Sequence, residues 1–236
     1  MAFLEHFHAR GPRRAGIVLG ALLGPLLGLA ACDVTDTGRS GELGRGYFFY
    51  ECDNNPDDGF CDRGPLDREF PAAVATGSLF RIDYEPQDSV YVNIVSGCLD
   101  CMERTPDGFV MTAEGRAPLL VENGEGEIYD VLHVEAKAAA DLVVRVDGDA
   151  WPDGELLLVQ GAVHELGATP QAADGTELGG SLDYEWEIAD EAVVELMSSG
   201  IRNDIELRAV AEGETTVTVR SGELSFEIPV RVKEAG

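Results

Sequence analysis

Five cysteines and one tight acidic loop are the residues of this chain whose types and spacing could do chemistry. The loop reads CDNNPDDGFCD over residues 52–62. Its carboxylates and carbonyls are the hard oxygen ligands that calcium takes, and Asp53, Asn55, Asp57 and Asp58 are the candidate ligands. The register of a helix-flanked calcium loop is not met. With Asp53, Asn55 and Asp57 at positions one, three and five, the required glycine belongs at 58, yet it stands at Gly59. No glutamate follows six residues after that glycine. The expected reading is therefore an acidic loop stapled by disulfide, closed on itself or tied to the second cysteine pair. Cys98 and Cys101 have CxxC spacing, but they follow a strand-like run, and Asp100 between them disfavours the thiolate that redox chemistry needs. A zinc site would need all four of Cys52, Cys61, Cys98 and Cys101. In an oxidising compartment structural disulfides are the expectation, and four cysteines allow three connectivities, which the sequence leaves open.

His133 and His164 lie on separate strand-like runs and make neither a metal cluster nor a triad. No nucleophile elbow, phosphate-cradling loop or dinucleotide fingerprint occurs, so catalysis is not expected.

The fifth cysteine, Cys32, stands apart. Residues 1–14 carry Arg10, Arg13 and Arg14 against Glu5, and residues 15–31, AGIVLGALLGPLLGLAA, carry no charge. A basic start followed by a short apolar run is the pattern of a secretory signal peptide. The run is shorter than the roughly 20 residues of a membrane span and is broken by Gly20, Gly24, Pro25 and Gly28. Leu29-Ala30-Ala31-Cys32 resembles a bacterial lipobox. That resemblance implies cleavage after residue 31 and a diacylglyceryl thioether on Cys32, with an N-acyl chain of the palmitate type. Asp33 resembles the inner-membrane retention signal of some Gram-negative bacteria, set against the outer-membrane or cell-surface location favoured for such a chain. Residues 32–45 read as a flexible polar tether.

Cleavage would remove three arginines and one glutamate, leaving 14 basic and 43 acidic residues and a formal charge of −29. Nucleic acid is excluded as a partner, because phosphate binding needs a basic surface.

The elements that must position these residues are strands. Short runs rich in Val, Ile, Leu, Phe and Tyr fall at 79–84, 90–95, 109–112, 128–134, 142–146, 156–159, 215–220 and 226–232, separated by Gly, Asp, Asn and Pro. Such spacing predicts an all-β chain of antiparallel β-sandwiches. An internal repeat organises them: AEGRAPLLVENGEGEIYDVLHV (113–134) aligns without a gap on AEGETTVTVRSGELSFEIPVRV (211–232), and Gly77 matches Gly161. The expected division is a disulfide-containing β domain at 46–147, a linker at 148–154 within the Gly/Asp/Pro-rich stretch DGDAWPDG of 147–154, and a second β domain at 155–236. The second domain, with Trp186 before the acidic turn at Asp190 and GETTV at 213–217, resembles the bacterial Ig-like domain of group 2. That resemblance implies a β-sandwich in which Trp186 packs the core, and through the repeat it extends to the first domain. It also implies a function in adhesion, or in binding an envelope protein or glycan through loops or edge strands. The alternative is a structural spacer of the envelope without a dissociable ligand. No cofactor other than calcium is suggested.

Overall fold

The computed structural model describes residues 38–52, 57–61, 70–151, 154–198, 200 and 202–236, and every regular element among them is a β-strand. The fold is all-β, as the alternation of apolar and polar residues predicts. The first ten strands are β1 (Arg39–Ser40), β2 (Gly46–Tyr50), β3 (Val74–Ala75), β4 (Leu79–Phe80), β5 (Ile82–Pro86), β6 (Val92–Ser96), β7 (Met102–Thr105), β8 (Gly108–Met111), β9 (Gly115–Asn123) and β10 (Ile128–Lys137). They form a sheet in the order β3-β10-β9-β6 and two smaller sheets, β1-β2-β5 and β4-β8-β7. One core unites the three: Phe48, Phe80, Met102, Met111, Leu119 and Leu132 are almost wholly buried.

The remaining strands are β11 (Asp141–Val146), β12 (Asp149–Ala150), β13 (Leu156–Val159), β14 (Val163–Gln171), β15 (Glu185–Ile188), β16 (Val194–Leu196), β17 (Asp204–Ala209), β18 (Gly213–Ser221) and β19 (Leu224–Lys233). Sheets β12-β11-β14-β17-β16 and β13-β19-β18-β15 enclose a second core around Leu158, Leu166, Ile205, Leu207 and Ile228.

The repeat is a structural one. Parallel pairing of β3 with β10 recurs as β13 with β19, and the β9–β10 hairpin recurs as β18–β19. Gly77 and Gly161 share φ 86°, a left-handed conformation open to glycine. Their N–H groups make matching 2.8 Å bonds, to Met111 O and Ala209 O. The gapless alignment fails at one place. The first hairpin turns through 124–127 and the second through 222–223, and a bulge between Ile128 and Asp130 adds a residue, so from Asp130 onward the equivalences shift by two residues. Ala117 pairs with Val134 and its counterpart Thr215 pairs with Val230, which makes Val134 equivalent to Val230 rather than Val232.

Three expected boundaries move. Residues 38–45, expected in the tether, are folded: β1 pairs with β2, and the turn at 41–45 wraps the buried carboxylate of Asp130. Strand β11, expected in the first domain, pairs along its length with β14 and places Leu142 and Val144 in the second core. Of the expected linker, residues 148–151 belong to the second sandwich. Asp147 and Gly148, at φ 52° and 85°, make the two-residue turn between β11 and β12, as a type I′ hairpin requires. Trp151 then donates to Val144 O at 3.0 Å and stacks edge-on against Phe226. The connection between the sandwiches is instead 138–140.

Candidate functional site

The four described cysteines pair locally, Cys52 with Cys61 and Cys98 with Cys101. This is one of the three connectivities open to the sequence. The first pair closes the acidic loop, and that loop turns inward. Asp58 is fully buried; its Oδ2 accepts hydrogen bonds from the Tyr50 hydroxyl and from Gly180 N at 2.8 Å, and its Oδ1 accepts from Phe60 N at 3.0 Å. Burial first, and then the Asp58 carboxylate, push the Tyr50 hydroxyl far above its usual range, so it stays protonated and donates. Asp57 faces Arg202 at 3.4 Å. Of the candidate calcium ligands, Asp53 and Asn55 lie outside the described residues, as does Cys32. Asp57 and Asp58 are turned toward the second sandwich. The geometry gives these two carboxylates protein partners.

Gly180 and Arg202 belong to the second sandwich, so the disulfide loop acts as a clasp between the two. Thr169 Oγ1 donates to Gly59 O at 3.0 Å, and a side chain at Gly59 would strike Ala168 O. Alongside the clasp the backbones join directly. Ala75 N bonds Gly179 O at 2.9 Å and Gly179 N bonds Ala73 O at 3.0 Å; Leu79 and Ser181 exchange bonds of 3.0 and 2.7 Å. A Cβ on Gly179 would come within 2.8 Å of the Tyr50 hydroxyl oxygen. Small side chains permit this approach: Ala73, Ala75 and Ala172 pack with Leu178 in a buried cluster of their own. At the rim Lys137 holds Asp174 at 2.7 Å, and this bond keeps the Asp174 carboxyl well below the usual range. A cleft of about 670 Å³ opens beside the joint, lined among others by Thr76, Leu79, Ala139, Ser181, Asp183 and Glu223. No group of three His, Cys, Asp or Glu placed to hold a metal ion occurs among the described residues.

A second buried carboxylate escaped the sequence reading. Asp130 is fully buried and accepts from Leu43 N (2.9 Å), Arg45 N (3.0 Å), Val131 N (2.8 Å) and the Tyr84 hydroxyl (2.9 Å). Burial alone would raise its pKa, but these donors outweigh it and hold the carboxyl below its usual range. Gly41 must lack a side chain, because a Cβ there would overlap the Asp130 carboxylate. The available signal was the repeat itself. By ladder register Asp130, opposite Val121, stands where Phe226 stands opposite Val219, a carboxylate in an apolar place.

The two histidines each meet one carboxylate, His133 with Glu42 at 2.8 Å and His164 with Asp147 at 2.7 Å; both acids are lowered, chiefly by these hydrogen bonds. They lie in different sandwiches. Trp186 is a core residue, and its Nε1 donates to Arg202 O at 2.8 Å. Its counterpart in the first sandwich is Ile94, which faces Val121 as Trp186 faces Val219.

No family model matches the sequence, and no curated protein matches it. Among solved structures, domains 4 and 5 of the S-layer protein SbsC are similar at 20% identity and a TM-score of 0.31, over 60% of this chain and 75% of that one. InvD of Yersinia pseudotuberculosis is similar at 14% identity and 0.33, over 70% and 56%. A β-glycosidase from Bacteroides vulgatus is similar at 10% identity and 0.32, over 66% and 23%. The chain spans 24% of a longer SbsC chain. These scores fall below the level at which whole chains share a fold, and what those proteins do is said of them alone.

Proposed function

We propose that this chain is an exported, lipid-anchored protein of a bacterial cell envelope that presents two clasped β-sandwiches to bind an envelope protein or glycan. The observation that carries the reading is Leu29-Ala30-Ala31-Cys32, a lipobox-like stretch closing an uncharged run behind a basic start. Acyl chains on Cys32 would each contribute about 0.8 kcal/mol per buried CH₂, and two or more hold a protein stably on a bilayer. Two disulfides suit an oxidising compartment. The second sandwich, with Trp186 in its core, is read as a bacterial Ig-like domain of group 2. In this reading the protein is a binding module and not an enzyme, and Asp33 bears on which membrane receives it.

Protease treatment of intact host cells tests the placement. Release of a fragment containing both sandwiches is expected; full protection until the outer layer is breached would put them in the periplasm and overturn surface presentation. A structural spacer is the second reading, favoured by the four backbone hydrogen bonds that hold the sandwiches to one another. Affinity capture from the envelope separates the two, since a spacer recovers fixed neighbours and no dissociable ligand.

A further inference from the structure

The two copies of the fold treat one edge differently. In the second sandwich edge strand β15 is covered. The bond from Ala189 N to Thr216 O (3.0 Å) sets the phase of its ladder with β18, which turns the Trp186 N–H outward. That N–H donates to Gly200 O at 2.9 Å. Gly200 belongs to the seven residues, 197–203, between β16 and β17. A backbone carbonyl thus meets this edge.

In the first sandwich β6 holds the equivalent place. The bond from Gly97 N to Pro118 O (2.8 Å) sets its phase with β9, so the N–H and C=O groups of Val92 and Ile94 point outward. No backbone partner meets them among the described residues. The segment that would cover them is too short, because only Pro106 and Asp107 join β7 to β8. A groove of about 410 Å³ opens along the edge instead, with Ile82, Val92, Ile94, Arg104 and Pro106 in its walls. Its opposite wall has no further strand among the described residues either: the bond from Glu51 N to Arg81 O (3.1 Å) turns the backbone groups of Ile82 away from β2.

Exposed edges are ordinarily blunted by a lysine, a proline or a bulge. Strand β6, VNIVS, has none of these, and its pairing with β9 is regular. Residues 89–99 carry no charge in a chain of formal charge −27. Tyr91 and Leu99, 82% and 87% exposed, flank the strand and are the two most exposed large apolar residues described. The groove carries two cationic donors, Arg81 and Arg104, set among the carboxylates Glu51, Asp83 and Asp107. Among the described residues Arg81 Nε is enclosed without a hydrogen-bond partner, its Nη2 lies 3.8 Å from Asp107, and Arg104 Nη2 reaches Asn93 Oδ1 at 3.3 Å.

We propose that β6 is a docking edge for an extended segment of a second polypeptide, which adds as a further strand and directs a carboxylate side chain at Arg81 and Arg104. The second copy of the fold argues for a polypeptide occupant, since there the same edge is met by a backbone carbonyl. Strand addition of this kind takes its affinity from main-chain bonds and its specificity from side-chain contacts. The proposal rests on the binding reading above and names the surface and the class of partner.

The test uses the full chain and two synthetic peptides of about nine residues that alternate Val and Thr, one with a central Glu and one with a central Lys, long enough to run the edge. The Glu peptide should slow amide exchange at Val92 and Ile94 and bind roughly tenfold tighter than the Lys peptide, the scale of a charge-assisted bond. Ile94→Pro should abolish binding while leaving the fold, because the lost N–H serves no ladder bond. Should that variant unfold, Arg104→Glu provides the reading alone, by reversing the peptide preference. Absence of protection at saturating peptide, or equal binding of the two peptides, overturns the proposal. So does protection without peptide, which would assign the edge to a second copy or to this chain's own amino-terminal segment, and so does protection by oligosaccharide alone. Loss of acylation in Cys32→Ala concerns only the anchor, so failure of the edge and failure of the envelope reading are told apart.

Discussion

Replacing Asp58 by Asn changes one atom in a fully buried site and tests the clasp directly. The carboxylate takes Phe60 N on one oxygen, and Gly180 N with the Tyr50 hydroxyl on the other. An amide keeps only one acceptor oxygen. Whichever way it is turned, its NH₂ faces one of the two backbone N–H groups, while the Tyr50 hydroxyl can rotate to accept. One hydrogen bond to a charged acceptor is lost, about 1.5–3 kcal/mol, and a buried donor is left unmet, so a loss of about 2–4 kcal/mol is expected. Solvent does not screen the site, because Asp58 is 0% exposed. The loss should be local to the joint. Native-state amide exchange should therefore accelerate at Gly180 and Gly179, by roughly a hundredfold on this scale, while Val219 in the second core keeps its protection. Urea unfolding of Asp58→Asn would give the total. Unchanged exchange at Gly180, with a stability loss under about 0.5 kcal/mol, would refute the assignment of the loop as a clasp.

Asp130 predicts a pH dependence. Its carboxyl is held below the unfolded value, so the stability it contributes is complete above pH ~4 and is lost as pH falls through the lower folded value. Asp130→Asn should lower stability at neutral pH and flatten the acid limb of the curve, and an unaltered acid limb would count against the network. Trp186→Ala should cost about 3–5 kcal/mol and unfold the second sandwich at lower urea than the first, read by tyrosine and tryptophan fluorescence. Breaking the Cys52–Cys61 link, of sequence separation 9, should cost about 2.5–3 kcal/mol by the loop-entropy relation, against about 2 kcal/mol for Cys98–Cys101 at separation 3. Calorimetry of the two Cys→Ser pairs checks the order, and only the first should also speed exchange at Gly180.

Much of the fold could be read in the sequence because it rests on local patterns. Runs at 156–159 and 226–232 became β13 and the body of β19, and the turn glycines Gly77 and Gly161 took the same left-handed conformation. The misread boundary had a readable alternative. Asp147-Gly148 between two β-forming runs is a hairpin signal, but the Gly, Asp and Pro around it carried the composition of a linker. The two-residue slip in the repeat was hidden because a period-2 pattern shifted by two keeps every residue on its face. The site was less legible, for a different physical reason. Asp58 and Asp130 acquire their roles from backbone N–H groups at 180 and at 43 and 45, distant in sequence, and no spacing rule connects them. An acidic residue beside a glycine reads as a solvated loop until the fold brings donors to it. The open edge of β6 likewise became visible only by comparing what lies beside Ile94 with what lies beside Trp186.

The lipid anchor at Cys32 is decided by intact and peptide mass spectrometry of the protein isolated from its host's membranes. An amino-terminal peptide that begins at Cys32 and carries diacylglyceryl and N-acyl mass is expected, and it should be absent from Cys32→Ala. A chain that still begins at Met1, or one cut elsewhere with Cys32 unmodified, would contradict it.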